Sequence, residues 1–215
     1  MQRCSGRNYG TIRGIREPAM WNDRFSEPGF AYGTSPNDYL VSVEPRLAPG
    51  PILSMAEGEG RNAVFLAQCG HKVHGVDSSP VGLEKAQMLA RDLGVSITTE
   101  VADLANFEFG TNHWAAIVSI FCHLPPPLRA LCHASVVRAL APGGLFVLEA
   151  YRPEQLKFRT GGPQNHEFLV RAGDLQRELV GLEFLELTEV EREIQEGRYH
   201  NGPSATVQCL ARKPE

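Results

Sequence analysis

The chain lacks basic excess, paired cysteines and any long apolar run. Its 21 Lys and Arg against 25 Asp and Glu leave a formal net charge of −4 over 215 residues, which argues against the basic footprint of a nucleic-acid binder. The five cysteines, Cys4, Cys69, Cys122, Cys132 and Cys209, stand far apart and never as C-x-x-C. Neither a disulfide framework nor a zinc site is signalled, no other metal site stands out, and free thiols of this kind fit a reducing, cytoplasmic compartment. No segment approaches the ~18 consecutive apolar residues of a membrane span, and the start has no apolar stretch of a secretory signal. The 21 glycines and 15 prolines fall below the roughly 25–30% that marks low complexity. What remains is one globular domain, at roughly 150 residues per domain, with a core that needs no staple.

Residues 1–17 set four arginines (Arg3, Arg7, Arg13, Arg16) against the single acid Glu17, without apolar period. Residues 1–19 are therefore expected to be a disordered leader, with the domain over 20–215. From there apolar runs alternate with helical patterns. Ile52–Ala56, Lys72–Asp77, Ser96–Val101, Ala115–Ile120 and Leu145–Ala150 read as strands; Asn62–Cys69, Ser79–Leu93 and Leu128–Leu140 read as helices. Gly94 and Pro142-Gly143-Gly144 act as helix stops. After a loop and a short helix near Gly173–Val180, two strands, Phe184–Glu193 and Ser204–Arg212, are joined by a turn holding Gly197, Asn201, Gly202 and Pro203. The expectation is an α/β fold, Rossmann-like: a mostly parallel seven-stranded sheet with an antiparallel edge hairpin and helices on both faces.

The chemistry gathers at strand ends. The first strand runs into Glu57-Gly58-Glu59-Gly60-Arg61-Asn62-Ala63, where glycines allow close backbone approach to a ligand and aim a helix N-terminus at negative groups. Gly58-x-Gly60-x-x-Ala63 also satisfies the dinucleotide form, so two nucleotide-type ligands compete at this point. Asp77 ends the second strand, where a carboxylate can accept both hydroxyls of a ribose. An N-cap role competes, but Ser78 or Ser79 can cap the helix beginning at Pro80. Asp103 follows the third strand, in reach of an adenine amino group, and the three loops converge on one crevice.

Glu57–Asn62, Val76-Asp77-Ser78-Ser79-Pro80, Ala102-Asp103-Leu104, Ile117–Leu124 and Ala141-Pro142-Gly143-Gly144 together resemble the ordered motifs of class I S-adenosylmethionine-dependent methyltransferases. Trp21-Asn22-Asp23-Arg24-Phe25 with Tyr32-Gly33-Thr34-Ser35-Pro36-Asn37 is similar to the N-terminal arm of the tellurite-resistance and thiopurine methyltransferase branch. The resemblance covers about residues 20–213. It implies S-adenosylmethionine as cofactor, S-adenosylhomocysteine as product, and residues 20–47 as an arm or lid over the cofactor. Site residues carried by the resemblance are Trp21, Phe25, Tyr32, Gly33, Glu57, Gly58, Gly60, Asn62, Asp77, Ser78, Ala102, Asp103, Leu104, Ile120 and Phe121. Core packing is the competing use of Trp21 and Phe25, one helical turn apart. The family's first motif begins with an acidic residue and a glycine where this chain has Ser54 and Ala56; Glu57 or Glu59 is then the substitute contact for the methionine amino group.

The segment after the fourth strand lies, in that family, beside the reacting methyl group. His123 is the candidate there to orient or deprotonate an acceptor, and Pro125-Pro126-Pro127 form a rigid lip. His71 and His74 sit three apart on a strand, on opposite faces, so they make no metal pair. His166 and His200 fall in polar loops of which some part lines the acceptor site. The expected reaction is in-line methyl transfer to a small molecule, a thiol or a chalcogen oxyanion being the first candidates. Two other classes compete. A nicotinamide-dependent oxidoreductase shares the glycines and Asp77 but has no tyrosine followed four residues on by lysine. A non-catalytic adenosylmethionine-binding protein would account for Ser54 and Ala56. A nucleic-acid methyltransferase would want a catalytic Asn/Asp-Pro-Pro-aromatic element that is absent here, while a protein acceptor stays open.

Overall fold

The computed structural model describes residues 18–215. The expected leader lies outside the described residues except for Pro18 and Ala19, which open the first helix, α1 (Pro18–Phe25). An arm follows through α2 (Asp38–Val43) and a 3-10 turn at Glu44–Arg46. The alternating core comprises β1 (Pro51–Met55), α3 (Arg61–Gln68), β2 (Lys72–Asp77), α4 (Pro80–Asp92), β3 (Thr98–Val101), β4 (Trp114–Ile120), α5 (Pro126–Ala139) and β5 (Leu140–Tyr151). Two 3-10 turns, α6 (Ala172–Glu178) and the strands β6 (Glu183–Glu196) and β7 (His200–Arg212) complete the chain.

The seven strands form one sheet in the order β3-β2-β1-β4-β5-β7-β6. β1 to β5 run parallel and β7 is antiparallel to both β5 and β6, so the Rossmann-like sheet with an antiparallel edge hairpin is the observed fold. Successive residues of the central strands enter opposite cores. Leu53, Ile117 and Phe146 pack under α5 and α6, whereas Ile52, Val118 and Val147 pack with α3 and α4. Burial on both faces is why these strands read as continuous apolar runs. After β3 the chain returns to lay β4 on the other side of β1, and the ends of these strands open on the crevice at that switch point.

Three expectations are corrected. β5 begins at Leu140, not Leu145: α5 passes directly into it, and Ala141–Gly144 form an irregular stretch where Trp114 pairs with Leu140 but Ala116 with Leu145. The Pro-Gly-Gly motif is thus a bulge within the strand. The hairpin turn is shorter than expected, leaving only Gly197–Tyr199 between Glu196 and His200, which pair. Asn201-Gly202-Pro203 belong to β7. Pro203 is tolerated because β5 ends at the pair Tyr151–Thr206; beyond that point β7 has β6 as its one strand partner and meets loop residues Thr160 and Gln155 on the other side, so no ladder donor is required of the proline there. β3 starts at Thr98 rather than Ser96 and pairs only with β2, at the sheet edge. Among the described residues no helix is long and apolar enough to cross a membrane.

Candidate active site

One cavity of about 310 Å³ opens at the carboxyl ends of the strands, at the low end of the roughly 300–1,000 Å³ usual for small-molecule sites. The structure brings Trp21, Phe25, Tyr32, Gly33, Glu57, Gly58, Asn62, Asp77, Ser78, Ala102, Asp103, Leu104, Ile120, Phe121 and His123 to its wall. Gly60 is the one sequence-selected residue that the lining excludes. Its φ of +97° and a would-be Cβ 2.6 Å from Ala86 Cα show that it serves the close passage of α4 beside the loop.

The loop after β1 is shaped from below. Ala56 turns with a φ of +49°, a costly conformation for a residue with a Cβ. Glu57 is buried beneath it, its carboxylate taking the Ala63 amide at 3.0 Å and the Ser54 hydroxyl. Burial pushes its pKa up to about 7 against the pull of these donors and of Arg61. Glu59 accepts from the Ala31 amide at 2.7 Å and from Lys85 at 2.9 Å. Both carboxylates expected near a methionine amino group are therefore occupied in fixing the loop and the arm.

Asp77 is not free either, although Ser79 caps α4 through the Gly82 amide at 3.2 Å. Its carboxylate takes the Gly58 amide at 2.9 Å and the Ser79 amide at 2.8 Å, locking two loops together. Burial raises its pKa while those amides pull it down. A carboxylate has about four acceptor positions, so acceptor capacity remains towards the cavity. Asp103 is exposed after β3, with one oxygen on the Ala105 amide at 2.9 Å.

The arm closes the site. Phe25 is buried over the loop, 3.1 Å from where a Cβ on Gly58 would stand, and stacks on Trp21 at 5.6 Å. Core packing and cover thus coincide in these aromatics. Arg24 reaches the Tyr32 hydroxyl at 2.8 Å and lies 4.3 Å from the Tyr199 ring centre. Among the described residues it has no carboxylate within ion-pair distance.

The opposite wall was expected only in outline, from the polar loops that hold His166 and His200. It adds Gly161–Pro163, Phe168, Tyr199 and His200, brought in when the β6–β7 tip docks on the arm through Arg198 N–H to the Ala31 carbonyl at 2.9 Å. His200 packs 4.6 Å from Tyr32, 4.7 Å from Phe121 and 5.2 Å from Tyr151. Behind it lies a buried ionic network. Glu149, fully buried, accepts from Arg192 at 2.9 and 2.7 Å, Asn37 at 2.6 Å, Thr206 at 3.0 Å and Gln208 at 2.8 Å. Glu196 accepts from Asn37 at 2.9 Å and from Arg61 at 2.7 Å. Burial would raise the Glu196 carboxyl, but His200 and Arg61 beside it hold it down at about 2.

His123 donates from Nδ1 to the Phe168 carbonyl at 3.0 Å and receives the Tyr151 amide on Nε2 at 3.4 Å. Cys122 lines the cavity with its thiol pushed up by burial. Pro125 forms part of the rim; Pro126 and Pro127 open α5. His166 lies off the wall. Among the described residues no group of three or more His, Cys, Asp or Glu is arranged to hold a metal ion.

Residues 52–144 match the family model of a methyltransferase domain. A curated relative, the 2-heptyl-1-hydroxyquinolin-4(1H)-one methyltransferase of Mycobacteroides abscessus, is 29% identical over 126 residues, 57% of this chain and 56% of that protein. The chain thus matches little more than half of that relative's length. Among solved structures, one from work on the conversion of a disulfide bond into a thioacetal group during echinomycin biosynthesis superposes with a TM-score of 0.72 at 18% identity, over 89% of this chain and 86% of that one. TehB from Haemophilus influenzae does so with a TM-score of 0.67 at 20% identity, over 82% and 62%. These structures share the fold. Residues 52–144 are thus similar to a methyltransferase domain.

Proposed function

We propose that the chain is an enzyme that transfers the methyl group of S-adenosylmethionine to a small-molecule acceptor by in-line displacement. The observation that carries this reading is a cavity into which the loops after β1, β2 and β3 converge on one side and an aromatic wall faces on the other. The donor set fits the cofactor. Asp77 has acceptor capacity for the ribose hydroxyls, the Ala102–Leu104 turn offers a carboxylate and an apolar seat to adenine, and the Gly58 loop would lie beside the methionine chain. Arg24, with no carboxylate partner among the described residues, is the residue to hold the methionine carboxylate. When bound, the cofactor supplies an activated methyl group on a sulfonium.

The chain's own work is to orient the acceptor and exclude water. Phe121, held at the end of β4 with a φ of +52°, His123, Phe168 and Tyr199 form a surface for a flat molecule. That surface, and the hydroxyquinolone named for the M. abscessus relative, favour a planar aromatic acceptor carrying a hydroxyl or thiol. His123, fixed at both nitrogens, orients it. An oxyanion of selenium or tellurium, the acceptor suggested by the arm's likeness to the tellurite-resistance branch, would instead need Arg24 as counter-ion. The arm over 20–47 acts as the lid, and the four free cysteines among the described residues suit a reducing compartment.

Calorimetric titration with S-adenosylhomocysteine, with NAD in parallel, tests the reading. Micromolar binding of the first and none of the second is expected, followed by methyl transfer to members of a phenol and thiol panel. Binding of NAD alone would overturn it; binding of neither would point to a degenerate site.

A further inference from the structure

His200 has no part in the cofactor reading, yet it stands buried in the aromatic wall of the cavity. It is 7% exposed. Its Nδ1 is buried, makes no hydrogen bond, and lies 3.6 Å from Glu196 Oε2. Its Nε2 makes no hydrogen bond among the described residues and, unlike Nδ1, is not a sealed atom. Glu196 is held in turn by Asn37 from the arm and Arg61 from α3.

The groups facing the imidazole are Glu196 on β6, Arg61 on α3, Arg24 on α1, Tyr32 on the arm and Tyr151 on β5. Burial lowers its proton affinity, Glu196 raises it, and the two arginines lower it again, for a net decrease. The neutral ring is therefore the favoured form. With a carboxylate behind Nδ1, the proton of the neutral ring belongs on that nitrogen, leaving the Nε2 lone pair for the cavity.

Resting on the methyl-transfer reading, we propose that His200 is the proton acceptor for a neutral aromatic hydroxyl, with Glu196 as its positioning residue. The acceptor O–H bond breaks and its proton passes to Nε2. The oxygen lone pair forms the bond to the methyl carbon, and the carbon–sulfur bond breaks with its electron pair going to sulfur, which becomes a neutral thioether. The positive charge lost from sulfur is thus recovered on the imidazolium, beside Glu196, and leaves as a proton to water. Glu196–His200 is a pair of groups whose spacing in the free protein would tighten as the ring charges.

Two measurements on the full chain test this. The first needs no cofactor: 15N spectra of histidine-labelled protein, with the His200 resonances identified by their loss in His200→Gln. The Nδ1–H tautomer, staying neutral down to below the ordinary histidine range, is expected. The Nε2–H tautomer would overturn the proposal, since that nitrogen would have no lone pair to give. The second is the kcat/KM of His200→Gln towards matched phenol and thiophenol acceptors, after titration with S-adenosylhomocysteine. Cofactor affinity within about twofold of wild type, a loss of about 10²–10⁴-fold on the phenol and a much smaller loss on the thiophenol, which arrives ionised, is the expected result. The acid limb seen with the phenol should also vanish in the variant. Equal losses on both acceptors would show a structural role and overturn the proposal. Failure of the wild type to bind S-adenosylhomocysteine would instead remove the methyl-transfer reading, an outcome the titration separates from the histidine's role.

Discussion

The wall at the ends of β1 to β3 and the wall at the hairpin tip hold their polar groups in different ways. In the first, carboxylates are satisfied by backbone amides a few residues away or one strand over: Asp77 by Gly58 and Ser79, Glu57 by Ala63. In the second they are satisfied by side chains more than 40 residues distant, Glu149 by Arg192 and Asn37, Glu196 by Arg61. The electrostatic consequence is opposite. Burial dominates on the first wall and raises both carboxyls, whereas the His200 and Arg61 side chains dominate at Glu196 and lower it. A wall of amides tolerates a neutral carboxyl; a wall of arginines demands an ionised one.

The sharpest way to break this contrast is Glu149→Ala, which leaves Arg192 facing a fully buried void. A loss of about 3–5 kcal/mol is expected in denaturant unfolding, and a loss near zero would mean the network is not structural. Asp77→Ala should act on ligand as well as on the loops it joins, weakening S-adenosylhomocysteine by about 1.5–3 kcal/mol if the ribose contacts behave as charged hydrogen bonds; unchanged calorimetric affinity would remove Asp77 from the site. Gly60→Ala places a Cβ against Ala86 and should cost about 1–3 kcal/mol of stability while the cavity lining stays as it is. Far smaller is His123→Ala, expected to leave cofactor affinity nearly intact and to lower turnover less than His200→Gln does. A larger loss than the His200 variant shows would transfer the proton-acceptor role to His123.

The two walls should also titrate with opposite sign. Glu196 has a folded value of about 2 against 4.5 in the unfolded chain, so its contribution is full above 4.5 and is lost as pH falls towards 2. Glu57, raised to about 7, binds its proton more tightly when folded. Its contribution is full below 4.5 and fades as pH rises through 7. Comparing the pH dependence of unfolding in Glu57→Gln and wild type isolates the second effect: the variant's stability should fall less between pH 5 and 8. An identical pH profile would place Glu57 in a wetter setting than the structure shows.

Much of the first wall was readable because its information is local. A parallel strand buried on both faces is an apolar run, and the glycine loop, Asp77 and Asp103 follow such runs directly. Gly60 was the exception, since only the packing of α4 shows that its missing side chain makes room for Ala86 rather than for a ligand. The boundaries went astray where local cues were overridden. Pro142-Gly143-Gly144 reads as a helix stop but sits in a strand as a bulge, and Asn201-Gly202-Pro203 reads as a turn but continues β7, because the missing β5 partner frees the proline from donating. The roles of Glu57 and Glu59 were equally out of reach, as each depends on which amide the folded loop presents.

The amino-acid order by itself determined the alternating sheet, the strand-end loops and the chemistry they can offer a cofactor, since each rests on periodicity or on turn residues within a short window. Only the tertiary structure decided which residues build and support the far wall of the cavity. Asn37, Glu149, Arg192, Glu196 and His200 have no common signature along the chain. They meet because the antiparallel hairpin reaches past the end of β5 and its tip docks on the arm, and burial then forces the charges brought there to pair with one another.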